Sequence, residues 1–312
     1  MVLTVTLNPS IDRTLFVDSL RVGDANRVIR SETDAGGKGI NLSRVLHELG
    51  GDTIATGFLA GGPGAAIRRV LDDQGVFHSF LDVEGETRTN ISIEAQDSSL
   101  PTTLNERGPQ VSPENLELLF AHVESHLPRA KWISLGGSLP PGIAPEVTAD
   151  FVELGRRAKV RTMVDADGDP MRFAMTARPD FIKPNEREAG RILGRELNGR
   201  NDAIDAAVEL YQQLGAGEKI VVVSRGAGGA ILACSEGQFD GTTPPVTVRS
   251  TVGCGDSMVG GMLWALNQSL PISEAFAWGL AAGAATATTD GTCIGSNEEI
   301  RRLFPIAKVE RV

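Results

Sequence analysis

Short apolar segments at 52–58, 131–135, 161–164, 180–182 and 219–223 alternate along this sequence with stretches whose apolar residues recur at helical spacing. A strand buried on both faces reads as a continuous apolar run, and a helix crossing over its sheet reads as an amphipathic one. The alternation therefore predicts an α/β fold, a mostly parallel central sheet covered by helices on both faces. The opening Met1-Val-Leu-Thr-Val-Thr-Leu supplies a further strand. Residues 39–49 carry Leu42, Val45, Leu46 and Leu49 before Gly50-Gly51, and residues 202–214 carry Ala203, Ala207, Leu210 and Leu214 before Gly215. Both read as amphipathic helices that stop at glycine. A chain of 312 residues suits one large domain spanning 1–312.

Two segments break this rhythm. Residues 13–33, and residues 85–105 with the alternating Thr87-Arg-Thr-Asn-Ile-Ser-Ile-Glu94, read as extra strands outside the parallel sheet, a small β-lid contributed discontinuously. The formal net charge of -10 argues against a nucleic-acid or anionic-membrane surface, which needs a basic face to neutralise phosphates. The aromatic residues, Phe 11, Trp 3 and Tyr 1, are too few to favour base stacking. Cys234, Cys254 and Cys293 form neither an even framework nor a CxxC pair, which fits a reducing cytoplasm. The start has no basic region followed by a long apolar one, and the uncharged stretches at 257–273 and 275–289 fall short of the ~20 apolar residues a membrane helix needs.

The most informative stretch runs from Ser250 through Gly253-Cys254-Gly255-Asp256 to Gly260-Gly261, and its second half is helix-like. Free N–H groups at a helix start form an anion pocket, and glycines let a phosphoryl group approach the backbone. Asp256, beside those amides, is placed to accept a proton from an attacking hydroxyl, and the positive helix end is expected to keep it ionised. The same stretch reads equally as a glycine-rich turn before an ordinary acidic helix start. Gly36-Gly37-Lys38-Gly39-Ile-Asn41 also opens a helix, with a cation in the turn, but matches neither a Walker A loop nor GxGxxG. Lys183-Pro184-Asn185 and Glu188 follow an apolar strand, where α/β folds place ligand groups. Asn185 and Glu188 offer oxygens for Mg²⁺, and Lys183 suits a phosphate; a solvated helix start is the alternative. Ser224, Gly226 and Gly229 mark a glycine-rich hairpin that could cover a nucleotide or merely turn the chain, and Ser138 follows another strand. His122 and His126 stand four apart on a helix at 113–126, with no third metal ligand in view.

Taken in order from Thr4 to the C-terminus, these segments resemble the PfkB (ribokinase-like) family of carbohydrate kinases. Gly36 to Asn41 is similar to its N-terminal signature and Ser250 to Gly261 to its C-terminal one. Thr4-Val-Thr-Leu-Asn8-Pro9-Ser-Ile-Asp12, Thr87-Arg88-Thr-Asn90 and Gly137-Ser138-Leu139-Pro140 most resemble the phosphosugar branch. The resemblance implies a ribokinase-like αβα sandwich with ATP and Mg²⁺ as cofactors. It implies Asp256 as proton acceptor and the amides of Gly253, Cys254 and Gly255 as an anion hole. Asp12, Gly37, Lys38, Asn41, Arg88, Asn90 and Ser138 then fall at the sugar site. Lys183, Asn185, Ser224, Gly226, Gly229 and Gly283 fall at the nucleotide, with Asn185 and Glu188 toward Mg²⁺. A homodimer through the lid is implied by resemblance alone.

Cys254 departs from the alanine usual in the family's GAGD, and a thiol there is expected to make the enzyme sensitive to alkylation or oxidation. A phosphorylated substrate needs cations away from the reacting hydroxyl, and Arg88 with Lys38, aided by Arg27 or Arg107, could supply them in an acidic protein. The first expectation is therefore phosphorylation of fructose 1-phosphate at C6, with tagatose 6-phosphate or fructose 6-phosphate at C1 as runner-up. A non-catalytic nucleotide or phosphosugar sensor and a dehydrogenase are the competing classes; the missing GxGxxG argues against the latter.

Overall fold

The structure is a computed structural model that describes residues 1–97 and 101–312. In chain order it runs β1 (Val2–Thr6), β2 (Ser10–Val17), β3 (Arg30–Gly36), α1 (Lys38–Glu48), β4 (Thr53–Leu59), α2 (Gly61–Asp73), β5 (His78–Asp82), β6 (Arg88–Ala95) and β7 (Thr102–Asn105). It continues with α3 (Pro113–His126), β8 (Trp132–Gly136), α4 (Val147–Ala158), β9 (Arg161–Asp165), α5 (Asp169–Ala177), β10 (Phe181–Ile182), α6 (Glu186–Leu193), α7 (Arg200–Gln213) and β11 (Ile220–Ser224). The remainder is β12 (Ala230–Cys234), β13 (Gly237–Thr242), α8 (Cys254–Asn267), α9 (Ile272–Ala287), α10 (Asn297–Leu303) and β14 (Lys308–Arg311).

Ten strands form the central sheet in the order β14-β13-β12-β11-β10-β9-β8-β1-β4-β5. It is parallel from β5 to β11, as the apolar runs require, and antiparallel from β11 to β14. The antiparallel end begins at the glycine-rich hairpin after Ser224 and continues into β13 and β14, whose mixed polar sequences carry no apolar run. Chain order reverses around β1, which has β4 on one side and β8 on the other. Such a switch point opens a crevice beyond the carboxyl ends of the strands. The α8 and α9 helices are separated by a break at Gln268 to Pro271, so the long uncharged stretch is two buried helices. Among the described residues no helix is long and apolar enough to cross a membrane.

The strands outside the parallel rhythm form a second sheet, β3-β2-β6-β7. It begins at Ser10, three residues before the expected start, and 18–29 is a loop between its first two strands. Part of the second expected segment, 98–100, lies outside the described residues. The pleat separates two faces. Asp12 lies opposite Asn90 on one face; on the other, Arg13 and Leu15 lie opposite Ile91 and Ile93, with Leu104 opposite Ile91.

Helix α1 is fixed against the central sheet by a buried relay of hydroxyls. Thr4 Oγ1 and Ser43 Oγ are 2.8 Å apart, Ser43 Oγ and Thr53 Oγ1 are 2.8 Å apart, and Thr53 Oγ1 donates to the Val2 carbonyl at 3.1 Å. Each buried hydroxyl thereby finds a partner, as it must to offset desolvation. The second sheet is rooted by the buried Arg44 of α1, which pairs with Asp34 of β3 at 3.0 Å and donates to the carbonyls of Ala35 and Thr292, both at 3.4 Å. Removing one partner of a buried pair strands the other. Arg44→Met is accordingly expected to cost about 2–4 kcal/mol, read as a lower urea midpoint at unchanged slope.

Candidate active site

The carboxyl ends of β1, β8, β9, β10 and β11 deliver the polar residues of the crevice. At its centre is Asp165, the last residue of β9, which is buried. Lys38 Nζ donates to its Oδ1 at 2.6 Å, and Lys183 Nζ lies 3.3 Å from its Oδ2. Burial alone would raise the Asp165 pKa, but Lys183 and then Lys38 outweigh it, so the carboxylate is held below its ordinary value. Burial likewise opposes charge on Lys38, yet Asp165 and then Asp256 override it and drive the ammonium pKa above its ordinary value. Both groups stay charged at neutral pH.

Asp256 has the opposite balance. It lies in the first turn of α8, and Asn41 Nδ2 of α1 donates to its Oδ2 at 2.8 Å. The residue is half-buried at the cleft floor. Burial and the neighbouring charge of Asp165 push its pKa up to about 6, against the pull of Lys38, the Asn41 hydrogen bond and Lys183. Desolvation thus outweighs the helix dipole in setting the pKa, although at about 6 the acid stays mostly ionised at neutral pH, as expected from sequence. Gly253 caps α8 in the left-handed region with φ 75 and no side-chain cap, leaving the first-turn N–H groups free. Gly37, with φ 127, likewise starts α1 without a side-chain cap. Two open helix starts thus share the Asn41–Asp256 hydrogen bond.

Of the residues singled out from sequence, Lys38, Lys183, Asn185, Glu188, Ser224, Gly226, Gly229, Cys254, Gly255, Asp256 and Gly283 line a single cleft of about 580 Å³. Its other wall, which includes Pro244, Pro245, Val246, Val248, Met258, Leu280 and Ala287, is mainly apolar. Asn185 and Glu188 form a capping box at the start of α6: Glu188 N–H donates to Asn185 Oδ1 at 2.9 Å, and Asn185 N–H donates to Glu188 Oε2 at 2.8 Å. Glu188 Oε1 is free of that box. A more open depression of about 640 Å³ over α6 and the following loop holds none of these residues except the flank of α6 itself.

The remaining residues gather around the second sheet. Ser10 Oγ and Asn90 Nδ2 donate to Asp12 Oδ1 at 2.7 and 2.9 Å. Gly36 lies against Asp12 so closely that a Cβ would come within 2.1 Å of Asp12 Oδ2, which is why this position has no side chain. Arg88 Nε donates to the Asn8 carbonyl at 3.2 Å. Asn8 Nδ2 in turn reaches the Arg107 carbonyl, Ser138 Oγ and the Leu139 carbonyl at 3.0, 3.2 and 3.4 Å. Burial depresses the Arg88 pKa against the pull of Asp12. The side-chain carbonyls of Asn8, Asn41 and Asn90 are buried without a hydrogen-bond partner. Arg27 lies on the exposed 18–29 loop and Arg107 is exposed.

One further sequence expectation changes, one pair of residues stays without a metal role, and one residue was overlooked. Cys254 lines the cleft, but burial and then Asp256 push its thiol up to about 11, so it stays protonated and the expected reactivity is not supported. His122 and His126 stack edge to face, His122 Nε2 lies 2.9 Å from the Ser79 carbonyl, and no cluster of metal ligands exists among the described residues. Asp165 was missed. It is the first residue after the apolar run 161–164, at a strand's carboxyl end, and that position was the available signal.

The model of the pfkB family of carbohydrate kinases matches residues 5–300. The chain belongs to that family. The kinase is 31% identical to the 1-phosphofructokinase of Bacillus subtilis over 312 residues, covering 100% of both chains. It is 35% identical to the 1-phosphofructokinase of Rhodobacter capsulatus over 272 residues, 87% of this chain and 85% of the relative. Among solved structures, phosphofructokinase-2 of Escherichia coli in complex with substrates and products superposes with TM-score 0.89 at 28% identity, over 98% of each chain. The ribokinase of Arabidopsis thaliana, at 19% identity and TM-score 0.79 over 97% of this chain and 98% of that one, shows the same fold. This is an enzyme that transfers a phosphoryl group to a hydroxyl, with the ribokinase-like α/β fold expected from sequence. The sensor and dehydrogenase readings fall.

Because Asp256 has a folded pKa above its unfolded value, its contribution to stability is present below its ordinary value of 3.8 and is lost as pH rises through about 6. Asp256→Asn escapes that loss. The variant is expected to be more stable than the parent by on the order of 2 kcal/mol at pH 8, with the difference vanishing near pH 4, in paired urea titrations.

Proposed function

We propose that this kinase transfers the γ-phosphoryl group of ATP to the C6 hydroxyl of fructose 1-phosphate, giving fructose 1,6-bisphosphate. The observation that carries the mechanism is Asp256, hydrogen-bonded to Asn41 at the free N-terminus of α8 and poised near neutrality. Its carboxylate accepts the proton of the sugar hydroxyl as attack proceeds. The free amides of Gly253, Cys254 and Gly255 receive the charge that builds on the transferred phosphoryl, and the Cys254 side chain does not interrupt them. Lys183, 3.3 Å from Asp165 Oδ2, lies on the cleft floor where it neutralises the ATP phosphates. Gly226, Gly229, Gly283 and the apolar wall from Pro244 to Val248 cover the adenosine.

Mg²⁺ suits the donor set at the cleft wall, a carboxylate oxygen of Glu188 left free by the capping box together with Asn185, since this ion keeps most of its waters and binds few protein oxygens. Bound there, it would supply charge neutralisation to the transferring phosphates.

Asp12, Asn90 and Asn41 hold the sugar hydroxyls, and Ser138 is positioned by Asn8 beside them. Arg88 and Lys38 take the substrate's own phosphate. Names of the relatives from Bacillus subtilis and Rhodobacter capsulatus support fructose 1-phosphate. The second reading, a 6-phosphate phosphorylated at C1, is supported by the likeness to phosphofructokinase-2 of Escherichia coli in complex with fructose-6-phosphate, at 27% identity and TM-score 0.87.

ADP release with fructose 1-phosphate, fructose 6-phosphate and tagatose 6-phosphate is expected to give at least about tenfold higher kcat/KM for fructose 1-phosphate. Preference for a 6-phosphate would reverse the sugar's orientation in the site. Asp256→Asn should lower kcat by about 10²–10⁴-fold with little change in KM for ATP, and kcat/KM of the parent should fall tenfold per pH unit below about 6.

The second sheet acts as a lid over the sugar, and its far face joins two copies in a cytoplasmic homodimer. That face carries Leu15, Ile91, Ile93 and Leu104, the last 56% exposed, while the root of the same face at Ile11 and Ala35 is packed on α2. Phosphofructokinase-2 of Escherichia coli likewise self-associates, having a tetrameric inhibited form. Light scattering should give twice the chain mass for the parent and a monomer for Leu104→Glu; a parent monomer at micromolar concentration would remove the dimer.

A further inference from the structure

At the opposite end of the central sheet from the cleft, a depression of about 190 Å³ opens between the amino ends of β9, β10 and β11 and the last turns of α4 and α5. Arg156, Lys159, Arg161, Arg178 and Lys219 line it, with Asp180 as the only carboxylate among its lining residues. The protein as a whole carries a formal charge of -10, so this concentration of cations runs against the average.

The internal contacts leave much of that charge unmatched. Both oxygens of Asp180 are used: Oδ2 accepts from Thr162 N–H at 2.7 Å and from its hydroxyl at 3.2 Å, and Oδ1 accepts from Lys219 at 2.8 Å. Arg156 pairs with Glu153. Arg161 donates to the Glu218 carbonyl at 2.8 Å and stacks 4.4 Å over the Trp132 ring, which fixes its guanidinium at the edge of the depression. Among the described residues, Lys159, Arg161 and Arg178 have no carboxylate within 4.0 Å.

The backbone gives an independent sign. Lys159 and Arg178 end α4 and α5 in the left-handed region, with φ 57 and 60. A Cβ is disfavoured there, and glycine is the residue that holds such turns with least strain. This chain has 36 glycines and uses glycine at the end of α6. The two helix C-termini carry partial negative charge that a cation offsets, but one elementary charge at each exceeds the half charge to be met.

We propose that this depression is an anion site for a phosphoryl group, distinct from the cleft. Its volume is below the ~300 Å³ at which drug-sized pockets begin, which fits a single phosphoryl group and not a nucleotide. Arginine's planar fork and the neighbouring lysines suit a tetrahedral oxyanion. The ligand is either free inorganic phosphate or the phosphate of a small monoester.

The test measures the melting temperature of the full chain against inorganic phosphate, glycerol 3-phosphate and, at matched ionic strength, chloride. The parent is expected to rise by a few degrees with one of the phosphates and not with chloride. Arg178→Gly and Lys159→Gly should melt at or above the parent without ligand, because glycine relieves the left-handed turns, yet lose about tenfold in apparent phosphate affinity. Lys183→Gln, altered in the cleft, should keep the response. A stronger shift with inorganic phosphate assigns the free anion; a stronger shift with glycerol 3-phosphate assigns a monoester. An equal shift in chloride, no shift in the parent, or a response that survives in Arg178→Gly and disappears in Lys183→Gln overturns the site.

Discussion

The buried carboxylate of Asp165 holds the cleft together. It ends β9, and the two lysines it binds come from α1 and from the end of β10, so one acid sets the spacing of three elements. An uncompensated charge at that depth would cost several kcal/mol, and the two ammonium groups are what hold the Asp165 carboxylate below its ordinary pKa. The same charge acts on Asp256, whose proton affinity it raises while the lysines lower it. Burial and the Asp165 charge together outweigh the cations and leave Asp256 with a pKa of about 6.

Much of this was legible in the sequence because parallel strands buried on both faces leave apolar runs that end where ligand groups begin. Lys183, Ser224 and Ser138 were located from such ends, and each lies there. The glycine-rich stretch before Asp256 announced a helix start open to anions, since only glycine gives the left-handed Gly253 cap without strain. Reading outward from runs also explains what was lost. Asp165 was passed over because a buried aspartate closing a strand interrupts the apolar pattern that defines the strand, and its partner Lys38 is 127 residues away. The antiparallel strands β13 and β14 have mixed polar sequences, so their pairing is set by tertiary contacts and not by a local period.

Electrostatics were the least legible part. From sequence, Asp256 sits at a helix N-terminus and Cys254 beside it, and both are expected to ionise readily there. Position in the chain says nothing of desolvation, and desolvation is the largest influence on both groups. The nearby Asp256 charge, when present, further discourages the thiolate. A cysteine can therefore replace alanine beside the transferred phosphoryl while leaving the backbone N–H in place and adding no competing nucleophile.

The sugar side poses a different balance. Asn8, Asn41 and Asn90 each use an amide nitrogen for an internal hydrogen bond and leave the carbonyl buried without one. An unmet buried acceptor costs about 1–3 kcal/mol, so the folded chain carries three such penalties. Under the proposed reading, the hydroxyls of a bound sugar would offset part of that cost at Asn41 and Asn90. A site built this way discriminates strongly against ligands that lack a hydroxyl, because each missing donor leaves one of these carbonyls unmet. It also couples the second sheet to the chemistry. Asn90 and Asp12 belong to that sheet and Asn41 to α1, where it binds Asp256, so in the proposed reading one sugar would bridge the sheet and that carboxylate. Under the proposed reading, closure of the second sheet would follow the sugar and not ATP alone.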